Sequence, residues 1–420
     1  MGKNRIVILG NGVAALSAIE TIRRKNRECE ITVISEEDVP AYSKVLIPYL
    51  ISGEKSDICI RTRGYYDKTG VKTSFGRKVV ELGPNSVLID GGEKIPYDKL
   101  LLSTGASPIT PNISGAESQG VFAINTLADA IAIATYIQNA EHAVFIGGGR
   151  MCLHVIDAFL RRGLRVTIIE TADEILLKMM DLEGARIVRR SLEERGVTIH
   201  SRTTAERILT EDGKGSAVVT DKGEGIEADI IISSVGSRPN IKMLRDGGVA
   251  VGSGILVDDT MRTSLENVYA AGDVAESFDL IRKGERVVCG TWFEAVLQGR
   301  IAGHNLTGDS ISYDGSLRMN VIDSEGIGVA SIGETEPIDK DCEVIVTRED
   351  KDYRKIIIKE DRIIGAILIG DVSDAGIIIS LIRNRIRISS RKDLNPKRRL
   401  NAASLINRRR SAPRPAHRTP

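Results

Sequence analysis

The chain has 420 residues, with 41 glycines, 42% hydrophobic and only 4% aromatic residues, and a formal net charge of +1. At roughly 150 residues per domain it holds two or three domains. A near-neutral balance argues against nucleic acid or a membrane surface as a partner. The five cysteines, Cys29, Cys59, Cys152, Cys289 and Cys342, are odd in number and form no CxxC pair. This excludes a disulfide framework, a zinc ribbon and an iron–sulfur ligand set, so no metal site is expected.

The first predicted unit is 5-RIVILGNGVAALSAIETIRR-24. An aliphatic run suited to a strand buried on both faces meets a glycine turn, and alanines and leucine then recur at helical spacing. The strand 30-EITVISEE-37 follows and ends in acids, completing a βαβ unit. No signal-peptide core precedes the first strand, and no stretch holds about 18 uncharged apolar residues, so a cytoplasmic protein without a membrane span is expected. In this unit Gly10 makes the turn, Gly12 lets backbone approach a pyrophosphate, and Ala15 lets the helix pack close to the strand. The helix start offers free N–H groups to phosphate, and Glu36 or Glu37 is the acid expected on a ribose hydroxyl.

Residues 40-PAYSKVLIPYLISG-53 come next, and 98-DKLLLSTGASP-108 is a strand running into a Thr-Gly turn. The first pattern then returns at 142-HAVFIGGGRMCLHVIDAFLRRG-163 with 165-RVTIIET-171. Gly147 and Gly149 are its essential glycines. Cys152 stands where Gly or Ala is usual, as a small apolar filler. Glu170 closes the second strand. A carboxylate there accepts the 2′-OH of NAD and repels the 2′-phosphate of NADP, and no Arg follows in 170-ETADE-174, so NADH is favoured. Two more strand-to-glycine signatures are 228-ADIIISSVGSRPN-240 and 267-NVYAAGDVAES-277. Residues 311–390 alternate short strands and end in an amphipathic helix, an α+β module. Residues 391–420, rich in Arg and Pro, read as a basic disordered tail, either a docking tail for an acidic partner or a dispensable end. These patterns leave open which dinucleotide each unit binds.

The segment 270-AAGDVAE-276 resembles the AxGD motif of the flavin-dependent pyridine-nucleotide reductases, and 103-STG-105 resembles their ATG turn. The resemblance is strong over about 5–310 and loose beyond. It implies an α/β fold of two Rossmann-like three-layer domains plus the C-terminal α+β module. The FAD domain would be discontinuous, 1–108 and 236–310. The NAD domain would be 109–235, and the module 311–390 a candidate homodimer interface. FAD would take Gly10, Gly12, Val13, Ala14, Ala15, Glu36, Glu37, Lys44, Val79, Thr104, Gly105, Gly272 and Asp273. NADH would take Gly147, Gly149, Arg150, Glu170 and Gly236. Segments 36–54 and 292–308 resemble the FAD reductases of nitrite reductase, rubredoxin and ferredoxin systems. Similar FAD subunits are the NADH-reacting parts of keto-acid and aldehyde oxidoreductase complexes.

The family's thiol-based branch has a cysteine where this chain has Val45, and valine forms neither sulfenate nor mixed disulfide. In the ferredoxin-reductase branch Lys44 matches an FAD-holding Arg, while Tyr49 replaces the Lys that approaches the flavin. His154 stands where the family usually has Glu. The implied function is NADH:acceptor oxidoreduction: hydride to FAD, then electrons to an iron–sulfur or rubredoxin-like carrier or subunit, with no catalytic side chain. The alternatives are an electron-input subunit of a keto-acid or aldehyde oxidoreductase, a thiol-based NADH oxidase or disulfide reductase (disfavoured by Val45), and a non-catalytic FAD-binding scaffold.

Overall fold

A computed structural model describes residues 4–244, 248–324, 326–349, 351–388, 391–394 and 400. The chain divides into two units, 1–175 with 193–317, and 176–192 with 318–420.

The first unit contains two five-stranded parallel sheets. One runs in the order Val268–Ala270, Lys99–Leu102, Arg5–Leu9, Glu30–Ser35, Val71–Phe75. The other runs Val197–His200, Arg165–Ile169, His142–Ile146, Ile230–Ser233, Val121–Ala123. Central strands buried on both faces need aliphatic side chains throughout, and Ile6, Val7, Ile8, Leu9 and Leu100–Leu102 are all buried. The helices of this unit are α1 (Val13–Lys25), α2 (Ile47–Ser52), α3 (Arg63–Lys68), α4 (Leu127–Tyr136) and α5 (Arg150–Arg161). After α6 (Leu182–Glu194), most of which belongs to the second unit, comes α7 (Trp292–Leu306). An antiparallel ribbon of Ala106–Pro108 with Ser237–Pro239 carries the chain out of the first sheet and back.

Helix α7 packs on α1 at unusually short range. Gly299 and Gly303, one turn apart, face Ala14 and Ala18, and a Cβ on Gly299 would lie 2.2 Å from the Ala14 carbonyl oxygen. The packing binds the helix after the first glycine turn to the helix that follows the 270–276 motif.

In the second unit an antiparallel sheet runs Met319–Ser324, Ile327–Gly333, Arg362–Ile369, Asp352–Lys359, Glu343–Glu349, with α8 (Ala375–Arg383) against it. The segment 176–192 belongs here, although its sequence lies inside the second dinucleotide unit. Its Asp181 carboxylate accepts from the Tyr353 hydroxyl at 2.6 Å and from Lys355 Nζ at 2.9 Å. The Glu183 carboxylate takes Arg348 at 3.0 Å. This modifies the expected module of 311–390, which recruits a segment from far upstream. Residues 391–394, expected in the disordered tail, form a 3-10 turn, and Arg391 is paired with Glu343 and Asp361. The rest of the expected tail, 395–399 and 401–420, lies outside the described residues. Among the described residues, no helix is long and apolar enough to cross a membrane.

Candidate functional site

Both glycine turns sit between the central strand of a sheet and the helix that follows it. Gly10 has φ +96° and Gly147 φ +102°, the left-handed region where a side chain is strained. A Cβ would also lie 2.2 Å from Ser103 O at Gly10 and 2.5 Å from Ser234 O at Gly147. These first glycines are therefore required by the protein itself. The second glycines differ. A Cβ on Gly12 would meet no protein atom within 4 Å, and one on Gly149 only Ser234 O at 3.9 Å. Space kept open beside a helix N-terminus fits a bound phosphate group. Both glycines are N-caps without a side-chain hydrogen bond, so the first N–H groups of α1 and α5 have no competing cap there. The middle glycine Gly148 is excluded from carrying a side chain by Ile175 Cγ2, 2.6 Å from the Cβ position.

Val13, Ala14 and Ala15 form the first turn of α1, with Ala14 and Ala15 buried. Glu37 is held by the Tyr42 hydroxyl at 3.0 and 3.1 Å, and exposed Glu36 pairs with Lys78 at 3.7 Å. Val79 opens a small antiparallel sheet at the edge of this core. The Thr104 hydroxyl donates to Asn240 O at 3.0 Å, and Asn240 Nδ2 donates back to Thr104 O at 2.8 Å. This couples the Thr-Gly105 turn to the returning ribbon strand, whose approach includes Gly236 (φ +117°). Gly272 packs against Ala14 and has its N–H held by Gln298 Oε1 at 2.8 Å, which aims the following residue, Asp273.

Asp273 is half-buried. Burial raises its carboxyl pKa, against the pull of the Lys44 ammonium and the Arg150 guanidinium. Lys44 is exposed, yet surrounding protein lowers its pKa. Arg150, expected among the NAD-binding residues, donates to Gly290 O at 2.7 Å, beside Asp273. Lys44, Arg150 and Asp273 thus gather where elements of both dinucleotide units meet. At the other turn the Glu170 carboxylate accepts from Gly148 N–H at 2.8 Å and Ala172 N–H at 2.9 Å, fixed at the end of its strand.

The stretch 40–53 is a strut between the two halves of this unit. The Tyr42 hydroxyl accepts the Leu127 N–H that starts α4, and Lys44 Nζ donates to Asn125 Oδ1 at 2.8 Å. Helix α2 packs against both α4 and α5, and His154 on α5 bonds the Val45 carbonyl at 3.2 Å. Burial lowers the His154 pKa, so the imidazole is held neutral. Sequence distance placed Cys59 away from this stretch, but it forms a β-bridge with Tyr42. Its thiol is pushed up to about 11, by burial and then by Asp57, so it is not a thiolate near neutrality. Cys152 is fully buried and its pKa is raised further.

Sequence reasoning missed several contributors. Asn11 donates to Val39 O and accepts from the Tyr66 hydroxyl of α3, which in turn accepts the Ala41 N–H, tying the first glycine turn to the strut. Tyr42, Asn125 and Gln298 act in the same way. Tyr42 and Gln298 lie within the family-like segments 36–54 and 292–308, while Asn11 and Asn125 carried no signal beyond proximity to the motifs.

The family model described as pyridine nucleotide-disulphide oxidoreductase matches residues 4–299, and that described as the rubredoxin NAD+ reductase C-terminal domain matches 319–386. The assimilatory nitrate reductase electron transfer subunit of Bacillus subtilis (strain 168) is 30% identical over 415 residues, which cover 94% of this chain and 52% of that protein. The chain thus spans about half the length of that relative. The NADH-dependent phenylglyoxylate dehydrogenase subunit epsilon of Aromatoleum evansii is 29% identical over 404 residues, 94% of this chain and 93% of that one. The crystal structure of NADH:rubredoxin oxidoreductase from Clostridium acetobutylicum superposes with a TM-score of 0.76 at 27% identity, covering 93% and 97% of the two chains.

Proposed function

The chain belongs to the pyridine nucleotide-disulphide oxidoreductase family, and on that premise we propose that it is an FAD-dependent NADH:acceptor oxidoreductase feeding an iron–sulfur or rubredoxin-like protein. The observation that carries this reading is the pair of second glycines, Gly12 and Gly149, facing open space at two helix N-termini. FAD is assigned to residues 1–108 and 236–310, held by Gly10, Gly12, Val13, Ala14, Ala15, Glu36 or Glu37, Lys44, Val79, Thr104, Gly105, Gly272 and Asp273. NADH is assigned to 109–235, held by Gly147, Gly149, Arg150 and Glu170, with Gly236 just past its end. Arg150 lines the passage between them.

When bound, FAD would supply the chemistry that links a two-electron donor, NADH, to a one-electron carrier. The chain's own residues do the rest. The helix starts hold phosphates, and the strut from Tyr42 to His154 keeps the two halves in register. Lys44 and Arg150 place positive charge beside Asp273, which offsets part of the cost of burying its carboxylate. No side chain need move a proton in this scheme. With valine at position 45 and the Cys59 thiol pushed up to about 11, direct transfer is favoured over a thiol relay. The match to a rubredoxin reductase C-terminal domain supports a protein carrier as acceptor.

A second reading, an electron-input subunit of a larger keto-acid oxidoreductase, is favoured by the near full-length match to the phenylglyoxylate dehydrogenase subunit. Cytoplasmic location and a homodimer through the C-terminal module belong to the proposal as well.

The test is anaerobic NADH titration of the purified yellow protein. Bleaching of the flavin absorption with two electrons per flavin, and FAD rather than FMN on extraction, is the expected result. Flavin that stays oxidised would leave only a scaffold. Reduction of added rubredoxin by the isolated chain supports the carrier reading. Co-purification of an oxidoreductase complex supports the subunit reading.

A further inference from the structure

We propose that the ion pair between Asp173 and Arg202 is a second element of cofactor selection, acting beside Glu170 to keep the 2′-phosphate of NADPH out. The inference rests on the reading that Glu170 meets the adenosine ribose.

Three segments converge at that end of the second sheet. The Glu170 carboxylate accepts from Gly148 N–H and from Ala172 N–H, so the loop 170–173 is folded over its own acid. The loop after the neighbouring strand Val197–His200 lies against it. Arg202 N–H donates to Ala172 O at 3.0 Å, and Thr203 N–H donates to Glu170 O at 3.0 Å. Arg202 is therefore anchored by its backbone to Ala172, the same residue whose N–H the Glu170 carboxylate holds. It holds φ +50°, a region where non-glycine residues are uncommon, so the loop geometry is imposed by these bonds.

From this anchor the Arg202 guanidinium turns to Asp173 Oδ1 at 2.7 Å. The pair is open to water, with side-chain exposures of 74% and 66%. Guanidinium is the side chain best shaped to take a phosphate bidentately. An arginine beside the ribose end of a dinucleotide site would ordinarily admit NADPH. Here its charge is already matched by Asp173, three residues along the same loop from Glu170. An exposed ion pair is weak, so removing Asp173 frees the guanidinium to swing onto a phosphate.

The experiment measures binding of 2′,5′-ADP and of 5′-AMP to the FAD-loaded protein by calorimetry, in a cycle of wild type, D173A, R202A and the double variant. D173A should tighten 2′,5′-ADP about three- to fivefold, the scale of one exposed charge contact, and leave 5′-AMP unchanged. R202A alone should move 2′,5′-ADP less than about twofold, because Asp173 already occupies the arginine. On the D173A background R202A should abolish the gain. The ratio of kcat/KM for NADPH over NADH should follow the same pattern. Equal effects of R202A in both backgrounds would mean two independent charges and would overturn the proposal, as would no gain in D173A. E170S separates the two levels of the argument. If it leaves 2′,5′-ADP binding unchanged, the ribose reading of Glu170 fails and the proposal falls with it. If E170S tightens 2′,5′-ADP while D173A does not, only the proposal falls.

Discussion

Replacing Gly299 by Ala tests the contact that joins the two halves of the FAD-side core. In an unpacked helix interior, Gly→Ala stabilises by about 0.5–1 kcal/mol, because glycine loses more backbone freedom on folding. At Gly299 the new Cβ would lie 2.2 Å from Ala14 O, 2.8 Å from Ala14 C and 2.9 Å from Ala14 Cα. These are backbone atoms and no rotamer change removes them. Ordinary contact begins near 3.5 Å, so α7 and α1 must part by roughly 1 Å. Overpacking of this kind costs about 1–3 kcal/mol. The cost exceeds the propensity gain, so the sign reverses and G299A is destabilising. On the proposed assignment of Val13–Ala15, the first turn of α1, to FAD, affinity for FAD should fall with stability. Gly376, second residue of α8, supplies the control: it is exposed and no atom lies within 4 Å of its Cβ position. G376A should therefore stabilise. The assay is denaturant unfolding of the FAD-loaded protein together with the FAD dissociation constant. G299A unfolding at higher denaturant than wild type with FAD affinity unchanged would refute the close-packing argument.

E170S should narrow the preference for NADH over NADPH by about 1–3 kcal/mol, the scale of a lost hydrogen bond to a charged group; flavin reduction rates with the two cofactors check it, and a wild-type preference for NADPH contradicts the role. A variant with all five cysteines changed to Ser or Ala should still be bleached by NADH and reduce ferricyanide at near wild-type rate per bound flavin. A drop by orders of magnitude with FAD retained would reveal a thiol in the path. Burial sets the folded-state pKa of His154 below its unfolded value of about 6.5. As pH falls through that value the unfolded chain takes up the proton first, so this residue's contribution to stability is lost toward acid. H154Q should flatten the slope of unfolding free energy between pH 7.5 and 5.5, and an unchanged slope would remove His154 from the balance.

Wherever a feature depends on a few consecutive residues, the sequence was enough. Both glycine turns, the aliphatic parallel strands, Glu170 at the end of its strand and the Gly272–Asp273 turn are local patterns, because strand burial and phosphate-binding turns impose a short-range periodicity. Tertiary structure decided what non-adjacent segments do to one another. The stretch around Val45 reads locally as the site of a missing thiol. In the fold it is the strut between α4 and α5, because Tyr42 and the Val45 carbonyl find partners more than 80 residues away. Arg150 follows a NAD-type glycine turn, yet its long side chain takes a carbonyl on the FAD side. The segment 176–192 follows the NAD-type strand in sequence but joins the C-terminal sheet, since Asp181 needs Tyr353 and Lys355 once it is buried. The glycines of α7 look like poor helix residues until Ala14 and Ala18 are set against them. In each case the deciding term is a hydrogen bond, desolvation or close packing of a group against a chain-distant partner, which no local window of sequence contains.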